Sequence, residues 1–392
     1  MIRSAREVEA WEGGLAVAAI ERIEKALLAL HATGTQPAIS LCVMRRGHVV
    51  FDRAVGEARP GELASPDTPF CVFSVSKAIT AMVIHLLDGR NLLRIDDPVA
   101  EYIPEFARHG KASMTVRHVL THRAGIPSVA GHADVNLLAD WDQIVRLLCE
   151  AKPVSVPGRR LAYHAITGGF VLGEIVRRVT GKSINEVLEG EIARPLGMKW
   201  FRYGVPREKV TAVARNAFTG PGVPPGFAQI VKRALGVPFE VAVEYSNDPR
   251  FLGAVVPSGN LVATAHELAR FFELLRRGGE LDGVKIFDRK TVRRALVESS
   301  YLELDLTLGL PVRYGLGLML GADRLSPFGP ATPHAFGHYG FINVVGWADP
   351  ERSLSCALLT SGKPFVGPHL VKFWGLLAAI AKNVPADGGL FS

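Results

Sequence analysis

The chain opens and closes on the same apolar pattern, which constrains its fold more than any other feature. From Leu15 to Leu30 apolar residues recur at helical spacing, and Ala38–Met44 and His48–Ala54, joined at Arg46 and Gly47, read as a hairpin of strands. Far downstream, Phe341–Trp347 and Leu354–Leu359 form a second apolar hairpin turned at Asp349 and Pro350, and an apolar helix over Pro368–Ile380 follows. Both ends are therefore sheet-and-helix in character.

Between them the period is helical. Helices are expected over Val75–Leu87, from Asp97 as the cap with Pro98 in the first position, and from a capping Thr115 to a stop before Gly125. Others follow over Trp141–Cys149, Thr167–Thr180, Ile184–Ile192 and Ala265–Arg277. The pattern predicts a mixed α/β (α+β) chain: a sheet-and-helix domain from residues 1–65 and 255–392, with a mostly helical lobe, 66–254, inserted. The segment Phe218–Pro257, dense in Gly and Pro from Gly220 to Gly226, is expected to be an irregular flap. Its apolar residues Phe227, Ile230, Val231, Leu235 and Phe239 suit a wall over a cleft between the lobes better than a surface left in water.

Composition excludes several classes of function. With 48% hydrophobic and 21% charged residues, the 392-residue chain is globular rather than disordered. The net charge of +7 is modest, and its basic pairs, Arg45 with Arg46, Arg159 with Arg160 and Arg276 with Arg277, are scattered, which argues against nucleic acid as a partner. Cys42, Cys71, Cys149 and Cys356 are widely spaced in apolar surroundings and read as buried free thiols. The start, MIRSAREVEAWEGG, lacks the basic and short apolar stretches of a secretory signal, and no window reaches 18 uninterrupted apolar residues, so a cytoplasmic protein without a membrane span is expected.

The chemistry concentrates in PFCVFSVSKAITAMVIHLL. Ser74 and Lys77 stand three apart at the start of an apolar helix, so their side chains share one face and the amine can reach the hydroxyl. Burial disfavours an ammonium, making the lysine a base near neutrality, and the Ser74 N–H at a helix N-terminus is placed to hold an oxyanion. An SxxK of this kind arises about once by chance in a chain of ordinary composition. Alone, it is compatible with a capping serine and a surface lysine.

That segment and four others resemble the serine β-lactamase and penicillin-binding-protein superfamily, most closely its class C-like branch and the related carboxylesterases. The others are RIDDPVAEYIPEF, TVRHVLTHRAGIP, GRRLAYHAITGGFVLGEIVRRVTGKS with ARPLGM, and FGHYGFINVVGWADPE, which occur in the family's order. The resemblance implies an antiparallel sheet flanked by terminal helices, a helical lobe, and an active site between them that needs no metal or cofactor. It also implies a tyrosine in a YxN motif, and Tyr163 of Tyr163-His164-Ala165 takes that place as a proton relay. Tyr245, in a literal YxN with Asn247, lies in the flap and precedes no matching helix, so it is set aside. His338, Tyr339 and Gly340 stand where the family carries KTG, Gly340 allowing close approach and the Phe341 N–H completing the oxyanion site. His164 either lines the site or serves structure.

Two departures bear on the substrate. An imidazole at His338 holds a carboxylate less firmly than a fixed ammonium. Alanine at Ala165, where the family has asparagine, removes a hydrogen bond to a substrate amide, a loss of roughly one to two orders of magnitude in recognition. A carboxylesterase acting on small acyl esters is therefore expected, with a β-lactamase or D-amino-acid peptidase, and a silent ligand-binding relative, as the alternatives. His118 and His122 have helical metal spacing but lack the HExxH glutamate, His334 and His338 fall four apart along a segment entering a strand, and Asp96 and Asp97 read as helix-capping acids.

Overall fold

The computed structural model describes residues 1–129, 131 and 134–387, with the backbone alone at residues 230, 233 and 234. Its central sheet draws strands from both ends of the chain. In sequence order these are β1 (Ile2–Arg3), β2 (Ala38–Arg45), β3 (His48–Arg59), β4 (Ser300–Asp305), β5 (Leu310–Tyr314), β6 (Met319–Leu320), β7 (Phe336–Gly340), β8 (Val344–Asp349) and β9 (Leu354–Thr360). In space they run β1-β3-β2-β9-β8-β7-β6-β5-β4, and Glu62–Leu63 adds a short pairing to β3. Every pairing along this path is antiparallel. The two hairpins read from sequence join where β2 meets β9, from Ile39 opposite Thr360 to Arg45 opposite Leu354.

Both faces of that junction are covered, so all of Ala38–Arg45 is buried and the strand reads as a continuous apolar run. The longer helices are α1 (Val17–His31), α2 (Ser76–Gly89), α3 (Thr167–Thr180), α4 (Ala265–Arg276) and α5 (His369–Asn383). Ile39, Leu41 and Val43 pack with Ile23 and Leu27 of α1 and Leu376 and Ile380 of α5. Cys42 and Met44 belong to the core on the other side, with Leu268 and Phe272 of α4. Gly346 in β8 permits α4 to lie this close, since a Cβ there would fall 2.5 Å from the Phe272 ring. All four cysteines are buried and free.

The helical lobe leaves through Phe70–Cys71 and returns through Val262–Ala263, and these two segments pair with each other. The first strand delivers the chain straight into α2, which is buried from Ser76 through Leu87. Thr115 caps Val116–Leu120 as its spacing requires, its hydroxyl accepting from the His118 N–H.

Three expectations are corrected. The segment Phe218–Pro257 is not irregular: it carries helices Pro225–Leu235, Phe239–Tyr245 and Pro249–Gly253. Pro224, Pro225, Pro238 and Pro249 stand at N-cap or first-turn positions, where no backbone donor is required, and Gly236 ends the first helix at φ 83°, so residues read as breakers act as punctuation. No α-helix starts at Asp97 and Pro98; a single 3₁₀ turn, Val99–Glu101, follows, Asp97 accepts from the Tyr102 hydroxyl and Asp96 pairs with Arg117. The strand expected from Phe341 begins at Val344, because Ile342 and Asn343 turn the chain with φ of 38° and 68°.

Replacing Gly346 with Ala is expected to lower stability by about 1–3 kcal/mol, because the added methyl meets a ring that cannot withdraw. The midpoint of urea denaturation should fall accordingly; an unchanged midpoint would mean that α4 does not sit this close to the sheet.

Candidate active site

The turn that carries Ser74 is bent and clamped. Phe73 has φ 49°, a left-handed conformation costly for an aromatic residue, and leads into the 3₁₀ turn Phe73–Val75 that opens α2. Gly340 of β7 presses against this turn, and a Cβ there would lie 2.4 Å from the Val72 carbonyl oxygen. The Phe341 ring, 5.3 Å from that of Phe73, closes the contact. Strand β7 thus holds the Ser74 loop in place, and the Ser74 N–H in the opening turn and the Phe341 N–H at the head of the hairpin flank the clamp.

Lys77 is the centre of the arrangement. Its Nζ lies 2.9 Å from Ser74 Oγ, 2.8 Å from the Ala165 carbonyl oxygen and 2.9 Å from the Ser258 carbonyl oxygen. Burial alone holds its pKa well below the usual 10.5, with no carboxylate beside it among the described residues to restore the charge. A neutral amine has two N–H bonds and one lone pair. The two carbonyls can only accept, so once the amine is deprotonated both hydrogens go to them and the lone pair faces the Ser74 hydroxyl.

Those carbonyls are themselves fixed. Ser258 Oγ donates to the Ile166 carbonyl and accepts from the Gly169 N–H in α3, and Gly169 must lack a side chain because a Cβ would fall 2.2 Å from that oxygen. The Thr80 hydroxyl donates to the Pro257 carbonyl and Ser76 Oγ accepts from the Leu261 N–H, so α2 binds the segment that orients its own lysine.

The Tyr163 ring lies 4.8 Å from Lys77 Nζ. Burial raises its phenol above the ordinary range while interaction with the Ser74 hydroxyl pulls the other way, so it is a neutral donor beside the nucleophile. The Tyr163 N–H is held by Asp305 Oδ1 at 3.0 Å, and the same oxygen takes the Thr307 and Leu308 N–H groups at the tip of the β4–β5 hairpin. His122, with φ 58°, places its ring 4.7 Å from that of Tyr163, and its Nδ1 accepts from the His164 N–H.

His338 is buried, its ring 6.4 Å from the Tyr163 ring, and its Nδ1–H donates to the Tyr339 carbonyl at 2.6 Å. Burial, aided by the nearby Lys77, pushes its pKa down to about 3. Burial also lowers His164 to about 4 and holds His122 well below 6.5. All three imidazoles are therefore neutral at physiological pH.

Ser74, Lys77, Tyr163, Gly340 and Phe341 come together, with His338 beside Tyr163. Tyr339 does not join them: side chains alternate along β7, and its ring packs between Phe328 and Phe373 on the opposite face while its hydroxyl donates to the Pro327 carbonyl. His164 sits behind Lys77 in a small internal cavity, its Nε2 accepting from the Ile126 N–H. His118 and His122 diverge, the former accepting from the Thr115 N–H, and His334 pairs with Glu351. Ser258, Asp305 and His122 escaped sequence reasoning as site residues. For Ser258 the only signal was a turn-type Pro257-Ser258-Gly259-Asn260, which names no partner.

Ser74 opens into a cleft of about 670 Å³. Ala165, Ile166 and Phe341 line one part, and Leu235, Val237, Ala242 and Tyr245 bring the 225–245 helices over it, so this segment does wall the cleft. Of the residues singled out for that role Leu235 lines the cleft, whereas Phe239 backs Phe341 at 4.9 Å from behind, Phe227 packs on Phe365, and the Ile230 side chain lies outside the described residues. Tyr245 is on this wall and does not join Lys77.

The fold is that of the β-lactamase scaffold, and the chain belongs to the β-lactamase family, whose model matches residues 20–379. It is 34% identical over 320 residues, 75% of this chain and 70% of the relative, to the esterase/beta-lactamase LipL of Mycobacterium tuberculosis (strain ATCC 25618 / H37Rv). Among solved structures, it is similar to a penicillin-binding protein homologue from Caulobacter crescentus, with a TM-score of 0.81 and 27% identity over 94% of this chain and 99% of that one. A family VIII carboxylesterase matches with a TM-score of 0.79 and 27% identity over 93% and 98%.

A fluorophosphonate is expected to label Ser74, at a rate that follows the neutral fraction of Lys77. Because that pKa is depressed, the rate should level off well below pH 10.5 and be lost as pH falls through the depressed value. Mass spectrometry of the labelled peptide across a pH series checks this; an adduct on another serine, or a rate still climbing towards 10.5, would contradict it.

Proposed function

We propose that the protein is a carboxylesterase that hydrolyses small, uncharged acyl esters through an acyl-enzyme on Ser74. The observation that carries this reading is electrical: no charged residue lines the cleft among the described residues, the imidazoles of His122, His164 and His338 behind it are held neutral by burial, and burial disfavours the charge of Lys77. A substrate carboxylate would find no fixed cation to meet it, whereas an uncharged ester would lose nothing on entering an apolar cleft. Ala165 supports the same reading, since it presents a methyl group to the cleft and no donor or acceptor.

In the first step Ser74 Oγ attacks the ester carbonyl and its proton passes to the Lys77 lone pair. The Ser74 and Phe341 N–H groups receive the developing oxyanion. Collapse breaks the bond to the alkoxide, which leaves as the alcohol after taking a proton through Tyr163. Water then attacks the acyl-serine, gives its proton to the same relay and releases the acid. The names of the M. tuberculosis relative and of the carboxylesterase structure support esters as the substrate class. A β-lactamase or peptidase remains the competing reading within the family.

On one preparation, kcat/KM for p-nitrophenyl butyrate should exceed that for nitrocefin, and an equal or larger nitrocefin value would reverse the choice. Lys77→Ala and Tyr163→Phe are each expected to lower ester turnover at least about a hundredfold, the low end of what a positioned acid or base supplies. Tyr245→Phe should stay within a few-fold; the opposite pattern would reassign the tyrosine.

A further inference from the structure

The hairpin that holds Tyr163 has a second side. Strands β4 and β5 form the free end of the sheet, with β4 outermost. Their inner side is committed: Asp305 is buried against the Tyr163 N–H, and Leu308 packs with Leu161, Tyr163 and Ala165 at the edge of the cleft. Elsewhere the hairpin exposes Tyr301, Leu302, Leu304, Leu306 and Leu310, between 44% and 66% accessible. Apolar residues scattered singly on a surface need no explanation, but five on one edge hairpin form a patch that asks for a partner.

The neighbouring chain indicates which partner. The Leu306 N–H donates to the Leu161 carbonyl, the Gly158 N–H donates to the Arg123 carbonyl, and Arg123 pairs with Glu303 of β4, so residues 156–162 run alongside the hairpin. This segment adds exposed Val154 and Val156, and exposed Lys152, Arg159 and Arg160 that have no carboxylate partner among the described residues. No acidic residue occurs between Glu150 and Glu174. The carboxylates of the same surface are already neutralised, Glu303 by Arg123 and Glu298 by Arg313. The patch is therefore apolar with a cationic rim.

A second copy of the chain is a poor occupant, because a two-fold contact would set this cationic rim against itself. An anionic lipid surface satisfies both halves, the leucines entering the interface and the arginines meeting headgroups. We propose that the β4–β5 hairpin and residues 152–160 dock the protein on an anionic lipid surface, with the edge of the cleft beside it. The proposal stands apart from the esterase reading, because its readout is binding.

Co-sedimentation of the full chain with vesicles tests it. The protein should pellet with vesicles of equal parts phosphatidylglycerol and phosphatidylcholine, and not with phosphatidylcholine alone. Arg159→Gln with Arg160→Gln should weaken that binding about 25-fold, roughly fivefold for each charge. Leu304→Gln with Leu306→Gln should weaken it at least about tenfold, while both variants keep the parent's circular dichroism spectrum and cooperative urea unfolding, showing that they fold. No pelleting, equal pelleting with neutral vesicles, or variants that bind like the parent would each overturn the proposal. So would a parental dimer that the leucine substitutions convert to monomer, since a second copy would then be the occupant.

Discussion

Burial of the Lys77 amine against two backbone carbonyl oxygens and the Ser74 hydroxyl, with no carboxylate beside it among the described residues, disfavours its charge, and this condition organises the lobe around it. To hold the two carbonyls, α3 must surrender a side chain at Gly169, and α2 must spend Thr80 and Ser76 on the segment from Pro257 to Leu261. To hold the hydroxyl on the third side, the chain must bend through the strained Phe73, and β7 must bring a glycine against Val72. Much of the local architecture near Ser74 can be read as the set of contacts that keeps one lone pair aimed at one proton.

The same avoidance of charge extends outward from the lysine. His338 gives its one ring hydrogen to a backbone carbonyl and stays neutral, and His122 and His164 are buried behind it. Near the sheet's free edge formal charge comes in pairs, Arg123 with Glu303 and Arg313 with Glu298. The hairpin there links the two regimes, since its buried Asp305 positions Tyr163 while elsewhere it exposes leucines to solvent.

The sheet was legible because strands buried on both faces announce themselves as unbroken apolar runs, and the two terminal hairpins left few ways to join. Ser74 and Lys77 were legible because a helix turns a spacing of three into contact. The helices of 225–253 were hidden because proline and glycine carry the same letters whether they break a helix or begin and end one. Tyr339 was misplaced with its neighbours because a triplet in a strand sends alternate side chains to opposite faces. Ser258 and Asp305 act through one carbonyl and one carboxylate oxygen brought from 181 and 142 residues away, and no local pattern encodes such partners.

The most direct test is the titration of Lys77 itself, followed by the ¹³Cε resonance in protein labelled at lysine. Lys77→Arg identifies its signal, and Lys363→Met identifies that of the other strongly shifted amine, which burial lowers to about 7. The account requires Lys77 to titrate with a midpoint well below 10.5. A signal of charged amine at pH 7 that titrates near 10.5 would contradict it, because the lone pair that takes the Ser74 proton would not exist in the resting protein.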